Sequence, residues 1–297
     1  MNRPHPRVAL VTGDVDRAAA EHLDAPLAAA LAARGAEVVT PSWRDAAVSW
    51  SSFDAAVVRT AWDYPSDREA FVSWAVATGE VTRLFNPPDV LRWNTHKGYL
   101  LELEDRGAPV VPTAWLGAGD EVDLAALLRS RGWSQVVIKP AVGVGSQGVL
   151  CVADDGRRAA VDGAGQRHLD ALLAAGDALV QPYLDGVADG ELSVVVVDGE
   201  PSHAVRKLPA TGEFRVQPQY GGTSRPEVLD RDIAALAWWV VEAVGTPLLL
   251  ARVDLITDPS GTPQLSELEA TEPDLLLHAA PQAAGRIADA VLSGART

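Results

Sequence analysis

Apolar residues in this chain gather into short runs that alternate with stretches of helical spacing. Arg7-Val8-Ala9-Leu10-Val11-Thr12 is a strand-like run stopping at Gly13. Leu23, Leu27 and Leu31 then recur at the interval of one helix face, and Glu37-Val38-Val39-Thr40 reads as the next strand. Ala55-Ala56-Val57-Val58-Arg59 repeats the signature of a buried strand, and Asn86-Pro87-Pro88 closes the region, because paired prolines cannot continue regular structure. Residues 1–95 therefore read as an α/β domain. Beyond it the pattern predicts a helix from about Thr95 to Arg106, the stretch Pro109 to Thr113, a helix through Leu124 and Leu127-Leu128, and the strand Val136-Val137-Ile138-Lys139-Pro140. After a glycine-rich turn, strands are expected at Ala178 to Gln181, Leu192 to Val197 and His203 to Lys207. A helix over about Val228 to Val244 comes next, then strands near Leu249 to Ile256 and Gln264 to Leu268. No internal repeat or low-complexity linker interrupts the sequence.

Length and composition narrow the picture. A chain of 297 residues, 47% hydrophobic, buries a sizeable core and has room for two or three modules. The formal charge of −15 argues against nucleic acid as a partner, since phosphate backbones select basic surfaces. Any phosphate must be held locally. With Cys151 as the single cysteine there is no intrachain disulfide and no thiolate metal cluster, which fits a reducing cytoplasm. No segment approaches the roughly 20 apolar residues of a membrane span, and Met1 to Pro6 lacks the order of a signal peptide. A soluble cytoplasmic protein is expected.

Candidate chemistry lies in a few segments. Gly143-Val144-Gly145-Ser146-Gln147-Gly148 comes after a strand, and glycines let backbone amides approach a polyphosphate; a plain hairpin turn explains them equally well. The apolar Val149-Leu150 beyond them reads as the start of a strand, so the dinucleotide fingerprint, which opens a helix, fits poorly. Lys139 ends an apolar strand, where burial without an anionic partner would be costly, and Lys97 stands near the start of the expected helix. Asp254 interrupts an apolar strand. Glu267 and Glu269, two apart, project from one strand face, and a magnesium ion would relieve their mutual repulsion. Arg206, Lys207 and Arg215 precede the Gly221-Gly222 turn, and arginine suits bidentate recognition of phosphate or carboxylate, although salt bridging to the many acids is an even alternative. Arg59-Thr60-Ala61-Trp62-Asp63-Tyr64 leaves a strand at its carboxyl end, where open α/β sheets deliver ligand contacts. There Arg59 is a candidate for a substrate carboxylate and Asp63 for its ammonium, with Tyr64 beside them; an aromatic loop packing on the neighbouring lobe is the alternative.

Taken in order, these pieces resemble the ATP-grasp superfamily over essentially the whole chain. The resemblance implies an N-terminal α/β domain (1–95) followed by two α+β lobes, 96–180 with a glycine-rich lid and 181–297 with a magnesium site, that clamp ATP. It implies Lys97 and Lys139 as phosphate ligands, Gly143, Gly145, Ser146 and Gly148 as the lid, and Gln181, Pro182, Tyr183 and Leu184 around adenine. Asp185 or Glu191 would hold the ribose, and Asp254, Glu267 and Glu269 the magnesium, though many relatives carry Asn in place of Glu269. Phe214-Arg215 and Gly221-Gly222 resemble the glutathione synthetase and ribosomal-modification ligase branch. This likeness implies that Arg215, with Arg206 and Lys139, neutralises an acyl-phosphate. The segments Arg59 to Tyr64, Asn94 to Lys97 and Glu267 to Asp274 are similar to the cyclo-ligases that close O-ureido-D-serine to D-cycloserine. The implied activity is ATP-dependent joining of a carboxylate to a nitrogen, within one small amino-acid-like molecule. The alternatives are an intermolecular dipeptide or peptide-tailoring ligase and a nucleotide-binding regulator without turnover; both lysines and all three acids disfavour the latter. A homodimer is the common default for soluble oligomers.

Overall fold

The computed structural model describes residues 5–14, 16–153 and 160–295; Met1 to Pro4, part of the stretch read for a leader, lie outside the described residues. Three sheets organise the chain. The first is parallel, in the order β2-β1-β3-β4, from β1 (Arg7–Thr12), β2 (Glu37–Val39), β3 (Ala55–Thr60) and β4 (Arg83–Phe85). Leu10 pairs with Val57 at its centre, and β1 and β3 are covered on both faces, which is why they read as unbroken apolar runs. Helix α1 (Arg17–Ala32), capped by the Asp16 carboxylate on the Ala19 amide, places Leu27 and Leu31 on one face of this sheet. On the other face, α2 (Arg68–Gly79) packs Phe71 and Ala75 with Trp43, Trp50 and Trp74.

The helix expected over Thr95 to Arg106 begins only at Tyr99, as α4 (Tyr99–Asp105), and a separate short helix, α3 (Pro88–Asn94), precedes it. Lys97 sits in the connection between them, its amide donating to the Ala141 carbonyl of the second sheet. That antiparallel sheet, β5-β8-β6-β7, contains β5 (Ala114–Leu116), β6 (Gln135–Pro140), β7 (Leu150–Ala153) and β8 (Ala178–Pro182), packed under α5 (Leu124–Arg131) and α6 (Gln166–Ala175). The glycine-rich segment is the connection of the β6–β7 hairpin.

The third sheet is antiparallel, β11-β10-β9-β12-β13, from β9 (Glu191–Val197), β10 (Glu200–Leu208), β11 (Thr223–Glu227), β12 (Leu250–Thr257) and β13 (Pro263–Glu269). Along β9 the side chains alternate: Val194 and Val196 pack toward α7 (Arg231–Glu242), and Val195 and Val197 toward α8 (Ala283–Gly294). Helix α8 also packs on α1, so the end of the chain shares a core with its beginning. Two buried asparagines stitch the first and third sheets together. Asn86 donates to the carbonyls of Leu250 and Ala270 and accepts from the Leu249 amide; Asn94 donates to the Leu268 carbonyl and accepts from the Ala270 amide and the Thr271 hydroxyl.

Candidate active site

A cleft of about 850 Å³ lies where the three sheets converge. Its floor is the face of the third sheet carrying Glu191, Lys207, Arg252, Asp254, Glu267 and Glu269. One wall comes from Lys139, the glycine loop and Gln181 to Leu184; the opposite wall comes from Trp62, Tyr64 and the first turns of α1.

Strand pairing assembles the floor. Asp254 stands opposite Glu267 and Arg252 opposite Glu269, so residues two apart on neighbouring strands share one face. Asp254 is 2% exposed. Its Oδ1 accepts from Ser193 Oγ at 2.5 Å and Arg252 Nε at 2.9 Å, and its Oδ2 from Arg252 Nη2 at 2.8 Å and Lys207 Nζ at 3.4 Å. Burial disfavours its charge, but Arg252 and Lys207 outweigh that and hold the carboxyl well below the usual range. Lys207 also meets Glu191 Oε1 at 2.5 Å. Glu267 pairs with Lys97 Nζ at 2.8 Å, which outweighs the upward push of burial and lowers its pKa. Glu269 bonds Arg252, yet burial and the neighbouring Asp254 and Glu267 raise it to about 7.

Lys139 differs from the other cations. Half-buried in the cleft wall, its ammonium makes no hydrogen bond or ion pair among the described residues, and burial lowers its pKa. An enclosed ammonium without a counter-ion is suited to an anionic ligand. Above it the loop turns through left-handed conformations at Gly145 (φ +58°), Ser146 (φ +60°) and Gly148 (φ +70°). Lys97 Nζ donates to the Gly143 carbonyl and Gln219 Nε2 to the Gly145 carbonyl, while Val142 and Val144 pack on the aromatic cluster beneath the first sheet. Arg215 lines the cleft, bonded to both oxygens of Glu213 and lying 3.6 Å over the Tyr220 ring.

Several expectations change. Arg59 is 1% exposed, and its guanidinium is spent on Asp24 Oδ1 at 3.0 Å and the Pro273 carbonyl at 2.7 Å. It holds two parts of the chain together and does not reach the cleft. Asp63 likewise turns inward, accepting from Trp43 Nε1, Arg44 Nε and the Asp14 amide, so it offers nothing to an ammonium group. Only Tyr64 of that trio lines the cleft. Arg206 points to the opposite face of β10, where it pairs with Glu227 and the Gly190 carbonyl; its neighbour Lys207 is the residue that faces the cleft. Of the two ribose candidates, Glu191 lines the cleft and Asp185 does not. Asp254, Glu267 and Glu269 are not gathered into a ready-made cation cage: among the described residues no three such groups are so arranged, because Arg252, Lys207 and Lys97 stand between them. Their chemistry still fits magnesium, since all three offer hard oxygen donors on the cleft floor and a divalent cation would relieve the crowding of acids that raises Glu269. Arg252 and Glu272 were missed. Arg252 had a signal, its position two residues before Asp254 in the same strand; Glu272 lies in irregular chain beyond β13, where no periodicity marks it.

Residues 8–86 match the family described as D-cycloserine synthetase DcsG, N-terminal domain, and residues 111–275 the prokaryotic glutathione synthetase, ATP-grasp domain. The cycloserine biosynthesis protein DcsG of Streptomyces lavendulae is 33% identical over 279 residues, spanning 90% of this chain and 91% of that protein. A glutathione synthetase of Ralstonia nicotianae is 27% identical over 75% of this chain and 65% of its own length. Among solved structures, D-cycloserine synthetase DcsG superposes with a TM-score of 0.85 at 31% identity, covering 97% of this chain and 99% of its own. A D-alanine–D-alanine ligase from Bacillus anthracis complexed with ATP shares the fold, with a TM-score of 0.70 at 16% identity over 98% of this chain and 97% of that one. With a cleft floored by carboxylates and lysines and a glycine loop above it, the chain belongs to the ATP-grasp ligases, in the family of DcsG and the prokaryotic glutathione synthetases.

Proposed function

We propose that this ligase uses MgATP to activate the carboxylate of O-ureido-D-serine and closes it to D-cycloserine. The observation that carries this reading is that the N-terminal domain, matched over 8–86 to that of D-cycloserine synthetase, supplies Trp62, Tyr64 and the α1 end of the cleft wall, the side away from the glycine loop. The similarity to DcsG across 90% of the chain supports it.

In this reading Lys97, Lys139 and the backbone of Gly143 to Gly148 hold the nucleotide phosphates, Gln181 to Leu184 enclose adenine, and Glu191 takes the ribose hydroxyls. Asp254, Glu267 and Glu269 hold magnesium, which draws off the charge that builds on the transferring phosphoryl group. As phosphate enters, Lys97 exchanges Glu267 for it, freeing that carboxylate. The substrate carboxylate attacks the γ-phosphorus, the bond to the β-phosphate oxygen breaks, and ADP forms. Lys207, Arg252 and Arg215 neutralise the acyl-phosphate by charge-assisted hydrogen bonds. The nitrogen bonded to the side-chain oxygen then attacks the acyl carbon, phosphate leaves, and the carbamoyl group departs with water as carbon dioxide and ammonia. Joined reactants bring a large effective concentration, so a weak nitrogen nucleophile suffices.

Incubation with ATP, magnesium and O-ureido-D-serine should release ADP and phosphate together with D-cycloserine. AMP and pyrophosphate would remove the acyl-phosphate route, and ADP release requiring two separate amino acids would make the enzyme a dipeptide ligase instead.

A further inference from the structure

Of the acids that line the cleft, Glu272 alone has no donor among the described residues; Asp16 has the Ala19 amide and Asp274 the Leu276 amide. Glu191 has Lys207, Asp254 has Arg252, Lys207 and Ser193, Glu267 has Lys97, and Glu269 has Arg252. Glu272 is 8% exposed and lines the cleft, its Oε2 fully enclosed, and no hydrogen bond or ion pair reaches its carboxyl among the described residues. A buried carboxyl left in this state is disfavoured by roughly 1–3 kcal/mol or more.

The chain on either side of it is tied down. Thr271 is tied to Asn94, the Pro273 carbonyl to Arg59, and the Asp274 carbonyl to Arg252. The buried Arg59–Asp24 pair thus holds Glu272 in position. Tyr64 faces the same space from the N-terminal domain. It is 4% exposed and its hydroxyl makes no hydrogen bond among the described residues; burial, and then the nearby Glu272 carboxyl, push its pKa up. A fixed carboxyl and a phenol, both unpartnered, therefore line one part of the cleft close to Arg252.

We propose that Glu272, with Tyr64, is the receptor for the ammonium group of a zwitterionic amino-acid substrate. This rests on the ligase reading above, in which Lys207, Arg252 and Arg215 neutralise the acyl-phosphate made from the substrate carboxylate. In an α-amino acid the ammonium sits one carbon from that carboxylate, and Glu272 comes three residues after Glu269, the end of β13, beside Arg252. A cation suits the site better than a neutral donor, because an ion pair restores the charge of an enclosed carboxyl and a hydroxyl does not. Holding the ammonium also keeps that amine out of reach of the acyl carbon, leaving the other nitrogen to attack.

The test is calorimetric binding to the full chain with magnesium and a non-hydrolysable ATP analogue. The ligands are O-ureido-D-serine, D-serine and D-alanine, each against its counterpart lacking the amino group. The wild type should bind at least one amino acid about tenfold to a hundredfold tighter than its deaminated counterpart, as a charge-assisted bond predicts. Glu272→Gln should erase that preference while leaving nucleotide affinity unchanged and the thermal midpoint level or higher, and Tyr64→Phe should reduce it. If the preference attaches to D-serine or D-alanine and O-ureido-D-serine does not bind, the cyclo-ligase reading falls and the receptor stands. If Glu272→Gln retains the preference, or instead raises the magnesium requirement for nucleotide binding, or if the wild type prefers none of the amino acids, the receptor assignment is overturned. Should Glu272→Gln lower the midpoint, Tyr64→Phe decides the matter by the same ratio.

Discussion

Lys139 shows how one side chain can be read from what it lacks. Lys97, Lys207 and Arg252 each have a carboxylate, whereas half-buried Lys139 in the cleft wall has none among the described residues, and burial pulls its pKa down. Lys139→Ala should weaken ATP binding about tenfold or more, the worth of a charge-assisted bond, while the thermal midpoint of the nucleotide-free protein stays level or rises. A lower midpoint with unchanged affinity would make the lysine structural. Glu269 has the opposite history: burial and neighbouring acids raise it to about 7 from 4.5. A carboxyl raised on folding contributes stability below its unfolded pKa and loses it as pH climbs through the folded one. In the nucleotide-free protein Glu269 should therefore cost more stability at pH 8 than at pH 5, and Glu269→Gln should recover on the order of 2 kcal/mol more at pH 8 than at pH 5. Denaturation at the two pH values checks this. An equal effect at both would mean that Glu269 does not titrate in that window.

At the scale of elements, strand geometry decides function by parity. Arg206 and Lys207 are adjacent on β10 and therefore face opposite sides of the sheet, one toward Glu227 and one toward the cleft. Lys207→Ala should reduce kcat/KM by about a hundredfold or more, and Arg206→Ala should stay within about threefold, since a partly exposed pair contributes about 1 kcal/mol at most. Steady-state kinetics on the two variants would show whether the faces are assigned correctly. The glycine loop is the hairpin connection that one of its two sequence readings expects, and its residues also line the cleft. It is tied down through the Gly143 and Gly145 carbonyls, by contacts from Lys97 and Gln219. Nucleotide binding should slow proteolysis within 143–148 at least severalfold. Equal cleavage with and without nucleotide would exclude a lid. The edge strand β11 escaped sequence reading because Thr223-Ser224-Arg225-Pro226-Glu227 has no apolar alternation, and a proline is tolerated there only because the strand lies at the sheet edge.

For the whole molecule, the decisive contacts join distant segments. Arg59 and Asp24 form a buried pair that also grips Pro273, 214 residues along the chain. Arg59→Ala should lower stability by about 3–5 kcal/mol, because it leaves a buried carboxylate uncompensated. A substrate-binding arginine would instead raise KM with little change in the thermal midpoint, so both measurements on one variant separate the roles. The sequence by itself determined much of this protein. The runs of β1, β3, β6, β9 and β12 are legible there, since periodicity and local turn chemistry are properties of neighbouring residues, and the order of Lys97, Lys139, the glycine loop and the acids along the chain carries the resemblance to the ATP-grasp ligases. The orientation of Arg59 and Asp63, and the interposition of Arg252 among the acids, were decided only by tertiary structure. So was the isolation of Glu272. Each depends on which side chains arrive from other sheets: a carboxyl in sequence carries no mark of whether folding will bring it a donor.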